Sequence, residues 1–283
     1  MGSDNQTKNK TKIAAIQMAS GPNVGANLIE ARRLINSAVR AGAKMVVLPE
    51  NFAIMGMKES DKVAIREPDG KGTIQDFLAE QAHKNNVWLV GGTVPLVAHA
   101  DNKVRAACLV YDNKGKRIAR YDKTHLFDVR IVDSGEQYVE SETIEAGEDI
   151  VVVDTPFAKV GIAVCYDLRF PELFRNMLTH QVEVIVIPSA FTAITGSAHW
   201  EVLVRARAIE NLCYVVAADQ GGYHVNGRES FGDSMIVDPW GHVLDRLTSG
   251  SGFVIGEIDL NYLRSTRKNF PALEHRKLVC NVD

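Results

Sequence analysis

The sequence predicts an α/β fold with mixed sheets, and three observations predict it. Short apolar, β-branched runs alternate with stretches whose apolar residues recur at helical spacing. The first such alternation, over residues 12–50, reads strand, helix, strand, a βαβ unit that implies a parallel pair. Farther along, "RAACLVYD" and "KRIARYDK" flank "NKG", a hairpin signal, so the sheets are not purely parallel. So many strands point to two sheets packed together with helices outside.

The elements follow in order. "KIAAIQMA" (12–19) reads as a buried strand. After the turn-like "SGPNVG", Leu28, Ala31, Leu34, Ile35, Ala38 and Val39 fall on one face of a helix over 27–41, and Gly42 is placed to end it. "KMVVLPE" (44–50) is the second strand. A helix over 73–84 precedes "VWLVGGTVPL" (87–96), read as one strand. The hairpin comes next, then strands in "VVVDT" and "KVGIAVCY" and a helix from Pro171. "VEVIVIPSA" (182–190) is a strand and 198–211 a helix. Strands at 213–219 and 233–238, a turn at "DPWG", a strand at 252–258 and a helix over 261–268 complete the body.

The chain has 283 residues, 46% hydrophobic, and a net charge of −3. That suits a single domain over 11–283, flanked by a flexible polar tail at 1–10 and ending in a tail at 271–283. No apolar run approaches the ~20 residues that span a bilayer, and no signal peptide is visible, so a cytoplasmic protein without membrane attachment is expected. The charge balance argues against a broad nucleic-acid surface. Cys108, Cys165, Cys213 and Cys280 are widely spaced, with no CxxC and no zinc-like cluster. Cys108 and Cys213 lie in strand-like runs, where cysteine packs as a small apolar residue. Cys280 sits in the tail. Only Cys165 stands where an apolar run meets a polar one, in "GIAVCYDLRFPE". A redox role for it lacks a resolving cysteine nearby in sequence.

Glu50 and Lys123 stand at comparable junctions, in "KMVVLPE" and "RYDKTHLF". Strand ends border the ligand crevice in open α/β sheets, so an acid, a base and a thiol there can converge. Taken singly, each reads as a solvated rim residue or an inert core cysteine. Together they suit one chemistry. A thiol with a pKa near ~8.5 is mostly protonated at neutral pH, and a neighbouring carboxylate can take its proton as it attacks an amide carbon. An ammonium and a backbone N–H can hold the resulting oxyanion, each donor worth ~3 kcal/mol in the transition state. No metal or cofactor is required.

These residues resemble the three signature segments of the nitrilase, or carbon–nitrogen hydrolase, superfamily. "LPENF" carries Glu50, "YDKTHLFD" carries Lys123 and "GIAVCYDLRFPELFR" carries Cys165, in the family's order. The resemblance covers about residues 12 to 276. It implies an α-β-β-α four-layer sandwich and a homodimer, or higher homo-oligomer, formed through the helical faces. It implies Cys165 as nucleophile, Glu50 as general base and Lys123 as stabiliser of the tetrahedral intermediate. The Tyr166 backbone N–H is then the second oxyanion donor, and Glu140 in "YVESE" holds the lysine. The implied cycle acylates Cys165, releases ammonia, and hydrolyses the thioester.

"PSAFTAITGSAHWEVLVRARAIENLCYVVAADQGG" and "SMIVDPWG" are similar to the branch of amidases acting on deaminated glutathione. The ω-amidases, acting on α-ketoglutaramate or α-ketosuccinamate, share much of this pattern and stand as the alternative. A catalytically silent oligomeric binding module is the reading of another kind; it offers no chemical reason to keep Glu50, Lys123 and Cys165 together. Phe191, Thr195 and His199 are candidate substrate contacts after the "VIVIPSA" strand, although His199, read at a helix start, also suits a capping or packing role. Asp167 and Arg169 read as an ion pair bracing the turn, with substrate-carboxylate binding by Arg169 as the sharper alternative. Arg205, Arg207 and Glu210 read as ion pairs along a helix. One departure from the branch pattern stands out: Asp233 replaces histidine in "GDSMIVDP".

Overall fold

The computed structural model describes residues 10–131 and 135–278. The first half runs β1 (Lys10–Gln17), α1 (Val24–Arg40), β2 (Met45–Val47), α2 (Asp61–Ala64), α3 (Thr73–Asn85), β3 (Trp88–Val90), β4 (Val94–Val97), β5 (Val104–Tyr111), β6 (Arg117–Asp122), β7 (Asp128–Arg130) and β8 (Gln137–Val139). The second half runs β9 (Val152–Asp154), β10 (Lys159–Ile162), α4 (Pro171–Met177), β11 (Val184–Ser189), α5 (Ala193–Asn211), β12 (Tyr214–Asp219), β13 (Gly221–Tyr223), β14 (Glu229–Phe231), β15 (Ser234–Val237), β16 (Val243–Leu247), β17 (Gly252–Asp259) and α6 (Leu260–Asn269).

Two mixed sheets carry the architecture. The first has the order β17-β1-β2-β3-β5-β4, with β6 also paired to β5; the second has the order β16-β15-β12-β11-β10-β9. In each, three strands run parallel: β1, β2 and β3 in the first, β10, β11 and β12 in the second. Strand β1 shows how the layers stack. Ile13 and Ala15 belong to a buried cluster that also holds Val160, Ile162, Val184 and Val186 of the other sheet. Ala14 and Ile16, pointing the opposite way, pack with Leu34 and Ile35 of α1 and Phe77 and Leu78 of α3. Trp200, Val204 and Ala208 of α5 cover the second sheet's outer face. The result is the four-layer α-β-β-α sandwich. Strands buried on both faces read as unbroken apolar runs, which is why "KMVVL" and "VIVI" lack alternation.

Several boundaries differ from the sequence reading, each for a local reason. Lys10 is not tail but the first residue of β1, paired with Asp259 of β17. Helix α1 starts at Val24 because Asn23 caps it, its side chain accepting the Ala26 N–H at 2.9 Å. Helix α5 starts at Ala193, capped by Thr192, so His199 lies inside the helix and caps nothing. The run 87–96 breaks into β3 and β4 at Gly91 and Gly92, the latter at φ +56°. The short ribbons β7–β8 and β13–β14 and the strand β16 escaped the periodicity reading altogether. The ion pairs along α5 are present, Arg207 to Glu210 at 2.6 Å and Arg205 to Glu201 at 3.2 Å. Cys108 and Cys213 are buried free thiols, and Cys280 lies outside the described residues.

Candidate active site

Glu50, Lys123 and Cys165 sit just beyond strand ends, in turns, each held by contacts from outside its own segment. After β2 the chain turns at Pro49. The Asn51 N–H donates to Thr93 Oγ1 at 2.9 Å, and the Gln220 side-chain amide donates to the Glu50 carbonyl at 2.9 Å. Glu50 is therefore tied to both sheets. Lys123 directly follows β6; its N–H donates to the Ala106 carbonyl at 3.1 Å and its carbonyl accepts the Gly147 N–H at 2.9 Å. Cys165 lies three residues past β10 and opens a single 3₁₀ turn over Cys165–Arg169, with φ +48°. That left-handed conformation costs a non-glycine residue ~1 kcal/mol or more and must be enforced by its surroundings.

Asp167 does much of the enforcing. Its fully buried carboxylate accepts the Val164 N–H at 2.8 Å and the Tyr121 hydroxyl at 2.7 Å on one oxygen. The other oxygen meets the His125 N–H at 3.0 Å and His125 Nδ1 at 2.7 Å. One side chain thus ties the turn bearing Cys165 to the segment bearing Lys123. The expected pairing of Asp167 with Arg169 is not what forms. Three residues complete a 3₁₀ turn, so side chains two apart point in different directions.

Lys123 joins Glu50 to Glu140, and all three line one cavity with Cys165. Lys123 Nζ donates to Glu50 Oε1 at 2.8 Å and to both Glu140 oxygens at 2.9 and 2.8 Å. Glu140 also accepts the Phe127 N–H at 2.7 Å. Lys123 is 1% exposed and Glu50 3%, so neither charge is stable there without its partner. Burial opposes the Lys123 charge, but the Glu140 and Glu50 carboxylates hold the ammonium well above its ordinary pKa. Burial pushes the Cys165 thiol well above its usual value, and the Glu50 charge pushes it further, against Lys123 and the Ala190 N–H. The resting sulfur is a thiol beside a carboxylate, an arrangement suited to proton removal during attack.

A cavity of about 400 Å³ opens on these groups. Of the residues expected from sequence, Glu50, Lys123, Glu140, Cys165, Tyr166, Arg169, Phe191 and Thr195 line it, and His199 does not. His199 is exposed on α5, its Nδ1 at 3.1 Å from Arg169 Nη1. Arg169 lies over the Phe191 ring at 5.2 Å and the Tyr166 ring at 5.9 Å. Phe191 is clamped from beneath, its N–H donating to the buried Asp219 at 2.9 Å, a carboxyl that burial holds well above the usual carboxylate range. The sequence reading missed Glu59, Lys62, Phe127, Tyr138 and Arg228, which also line the cavity. For Arg228 a signal existed: "NG" at 226–227 marks the tight turn between β13 and β14. Asp233 lies apart from the cavity lining, at φ +58°, with both carboxylate oxygens paired to Arg246, so its charge is spent locally. Among the described residues no group of three or more His, Cys, Asp or Glu side chains is arranged to hold a metal ion.

Comparison with known proteins agrees in sequence and in shape. The family model described as carbon-nitrogen hydrolase matches residues 12–268. A Synechocystis protein named deaminated glutathione amidase is 42% identical over 270 residues, covering 94% of this chain and 98% of that one. The Caenorhabditis elegans NitFhit crystal structure superposes with a TM-score of 0.87 at 37% identity, covering 95% of this chain and 66% of NitFhit, less than two thirds of its length. Saccharomyces cerevisiae Nit3, described as a member of branch 10 of the nitrilase superfamily, superposes with a TM-score of 0.85 at 30% identity, covering 95% and 97% of the two chains.

Proposed function

Because the chain belongs to the carbon–nitrogen hydrolase family, we propose that it cleaves the amide of deaminated glutathione through a thioester on Cys165. The observation that carries this reading is the buried Lys123 ammonium, held between Glu50 and Glu140 in the cavity that Cys165 lines. Glu50 takes the Cys165 proton as sulfur bonds to the amide carbon. Lys123 Nζ and the Tyr166 backbone N–H receive the negative oxygen. Glu50 returns the proton to the departing amine as the C–N bond breaks, leaving the thioester. Water then attacks, giving its proton to Glu50; the C–S bond breaks and the thiol regains a proton. Glu140 keeps Lys123 in place and charged.

The leaving group follows from the substrate. Deaminated glutathione is glutathione with its amino group replaced by a ketone, so the scissile amide is N-substituted and the departing amine is cysteinylglycine. Ammonia leaves only from a primary amide such as α-ketoglutaramate, which corrects the release expected from sequence. The Arg169 guanidinium, with aromatic faces and an imidazole for neighbours, serves as the anchor for the carboxylate of the acyl half.

The protein acts as a homodimer. Val202 and Ile209 of α5, with Trp240 and Phe270, leave an apolar face on the outer helical layer, and a second copy of this chain covers it; the mass in solution tests this. Buried reduced cysteines suit a reducing compartment, the cytoplasm.

The functional test compares kcat/KM for deaminated glutathione, α-ketoglutaramate and simple nitriles. Deaminated glutathione is expected to lead, and Cys165→Ala to lower its turnover at least about a thousandfold. Equal turnover by Cys165→Ala would remove the nucleophile, and a wide preference for α-ketoglutaramate would make the protein an ω-amidase.

A further inference from the structure

The wall of the cavity has a cation at each end. The Arg169 guanidinium lies over the Tyr166 ring. Tyr166 meets Phe127 edge to face at 5.0 Å, and Phe127 meets Tyr138 at 5.2 Å. The Arg228 guanidinium lies over Tyr138 at 5.1 Å. All five residues line the cavity, so three consecutive rings separate two guanidinium groups.

Arg228 is not neutralised where it stands. Its carboxylate partner, Glu59, at 2.5 Å from Nη2, is shared with Lys62 Nζ at 2.9 Å. Lys62 and Arg228 together pull the Glu59 carboxyl down to about 2, the Lys62 charge contributing most, so one negative charge faces two positive ones. Glu142 and Glu229 also line the cavity, but both are exposed to solvent, where their fields are screened. A guanidinium carries five N–H donors in a planar fork, and Glu59 occupies one side of it.

We infer that Arg228 is a second carboxylate site, binding an anionic group on the amine half of the substrate at the opposite end of the aromatic wall from Arg169. The inference rests on the amidase reading of Cys165. Arg169 stands in the same turn as Cys165, beside the acyl carbon that stays on sulfur. Arg228 precedes β14 and is partly exposed, at the end from which the amine departs. The substrate class is then an N-substituted amide with a carboxylate on each side of the scissile bond. Deaminated glutathione has this form, with a 2-oxo acid carboxylate on one side and a glycine carboxylate on the other. α-Ketoglutaramate has only the first.

The test measures kcat/KM of the full chain for these two amides in the wild type, Arg228→Gln and Arg169→Gln. Arg228→Gln is expected to lower the ratio of deaminated glutathione to α-ketoglutaramate 10- to 100-fold, chiefly through KM, as loss of a charge-assisted pair implies. Arg169→Gln is expected to weaken both and leave the ratio near its wild-type value. Calorimetry in a Cys165→Ala background repeats the comparison without turnover, where Arg228→Gln is expected to weaken deaminated glutathione binding by the same factor. An unchanged ratio, or unchanged binding, overturns the Arg228 assignment. Absence of amide turnover by the wild type, with the binding difference intact, overturns the amidase reading instead.

Discussion

Asp167 has no exposed surface and accepts from Val164, Tyr121 and His125, two contacts on each oxygen. Asparagine in its place keeps the shape but turns one oxygen into a donor, which then faces donors whichever way the amide flips. Asp167→Asn is therefore expected to cost about 2–4 kcal/mol in stability. It should also lower kcat, since the Cys165 turn and the Lys123 segment lose their common tie. Chemical unfolding and steady-state kinetics check both effects, and wild-type stability would show that the carboxylate is not the brace. At this scale the sequence was legible where chemistry dictates a residue type. Glu50 and Cys165 stand at the ends of apolar runs and Lys123 just after a strand-like segment, and Glu140 followed from the resemblance alone. Asp167 was visible as a charge behind the cysteine, but apart from Val164 its partners, Tyr121 and His125, lie forty or more positions away in β6 and the loop after it. Local spacing offered Arg169 instead, the nearest cation in the chain. Tyr138 sits on a ribbon too short for a periodic signal, and Arg228 in the turn of another, where only "NG" marks the place.

Element boundaries follow from single residues that override periodicity. "VWLVGGTVPL" has the composition of one strand, but Gly92 adopts φ +56° and packs against the Pro49 carbonyl. A Cβ there would lie 2.1 Å from that oxygen. The break lets β4 leave the path of β3 and pair with β5, while the bend supports the turn carrying Glu50. Gly92→Ala combines a left-handed backbone with a backbone clash, and is expected to destabilise the protein by about 3 kcal/mol or more. The 49–51 turn should shift with it, lowering kcat along with the melting temperature. A Gly92→Ala protein with wild-type melting and kcat would show that the turn does not depend on this contact. The early starts of α1 and α5 have the same origin. Asn23 and Thr192 each lie in a stretch that reads as loop because it is polar, and each uses that polarity to cap the helix behind it. The cap of α5 also places Thr192 and Thr195 on the cavity wall.

On the scale of the molecule, two sheets stacked face to face bring the ends of β2, β6 and β10 to one cavity, and the outer helices seal each sheet. The mixed α/β class was legible because buried strands and amphipathic helices write different periods. The layer order was legible only through the family resemblance, since no local pattern says which sheet a strand joins. An outer layer should be polar on its free side, and α5 is only partly so: beside the exposed His199 and Arg205, Val202 is 68% exposed and Ile209 47%. Ile209 abuts Gly241 in the turn that follows Trp240, and Trp240 meets Phe270 edge to face at 5.6 Å, so the apolar surface runs on from the helix into the turn before β16 and the end of α6. A stable homodimer buries ~1,600 Å² or more with an apolar centre, and this face supplies such a centre. The wild type is expected to sediment at about twice the 31.1 kDa chain mass. Val202→Glu combined with Ile209→Glu should sediment as a monomer, because a paired interface would desolvate unpartnered carboxylates. Its far-ultraviolet circular dichroism should match wild type, since both side chains point to solvent in the single chain. A wild-type monomer, or a double variant that stays dimeric, would exclude this face. The consequence reaches the site: the first turn of α5 carries Thr192 and Thr195 at the cavity, so a partner that holds the helix also holds that wall, and the monomeric variant should show a raised KM.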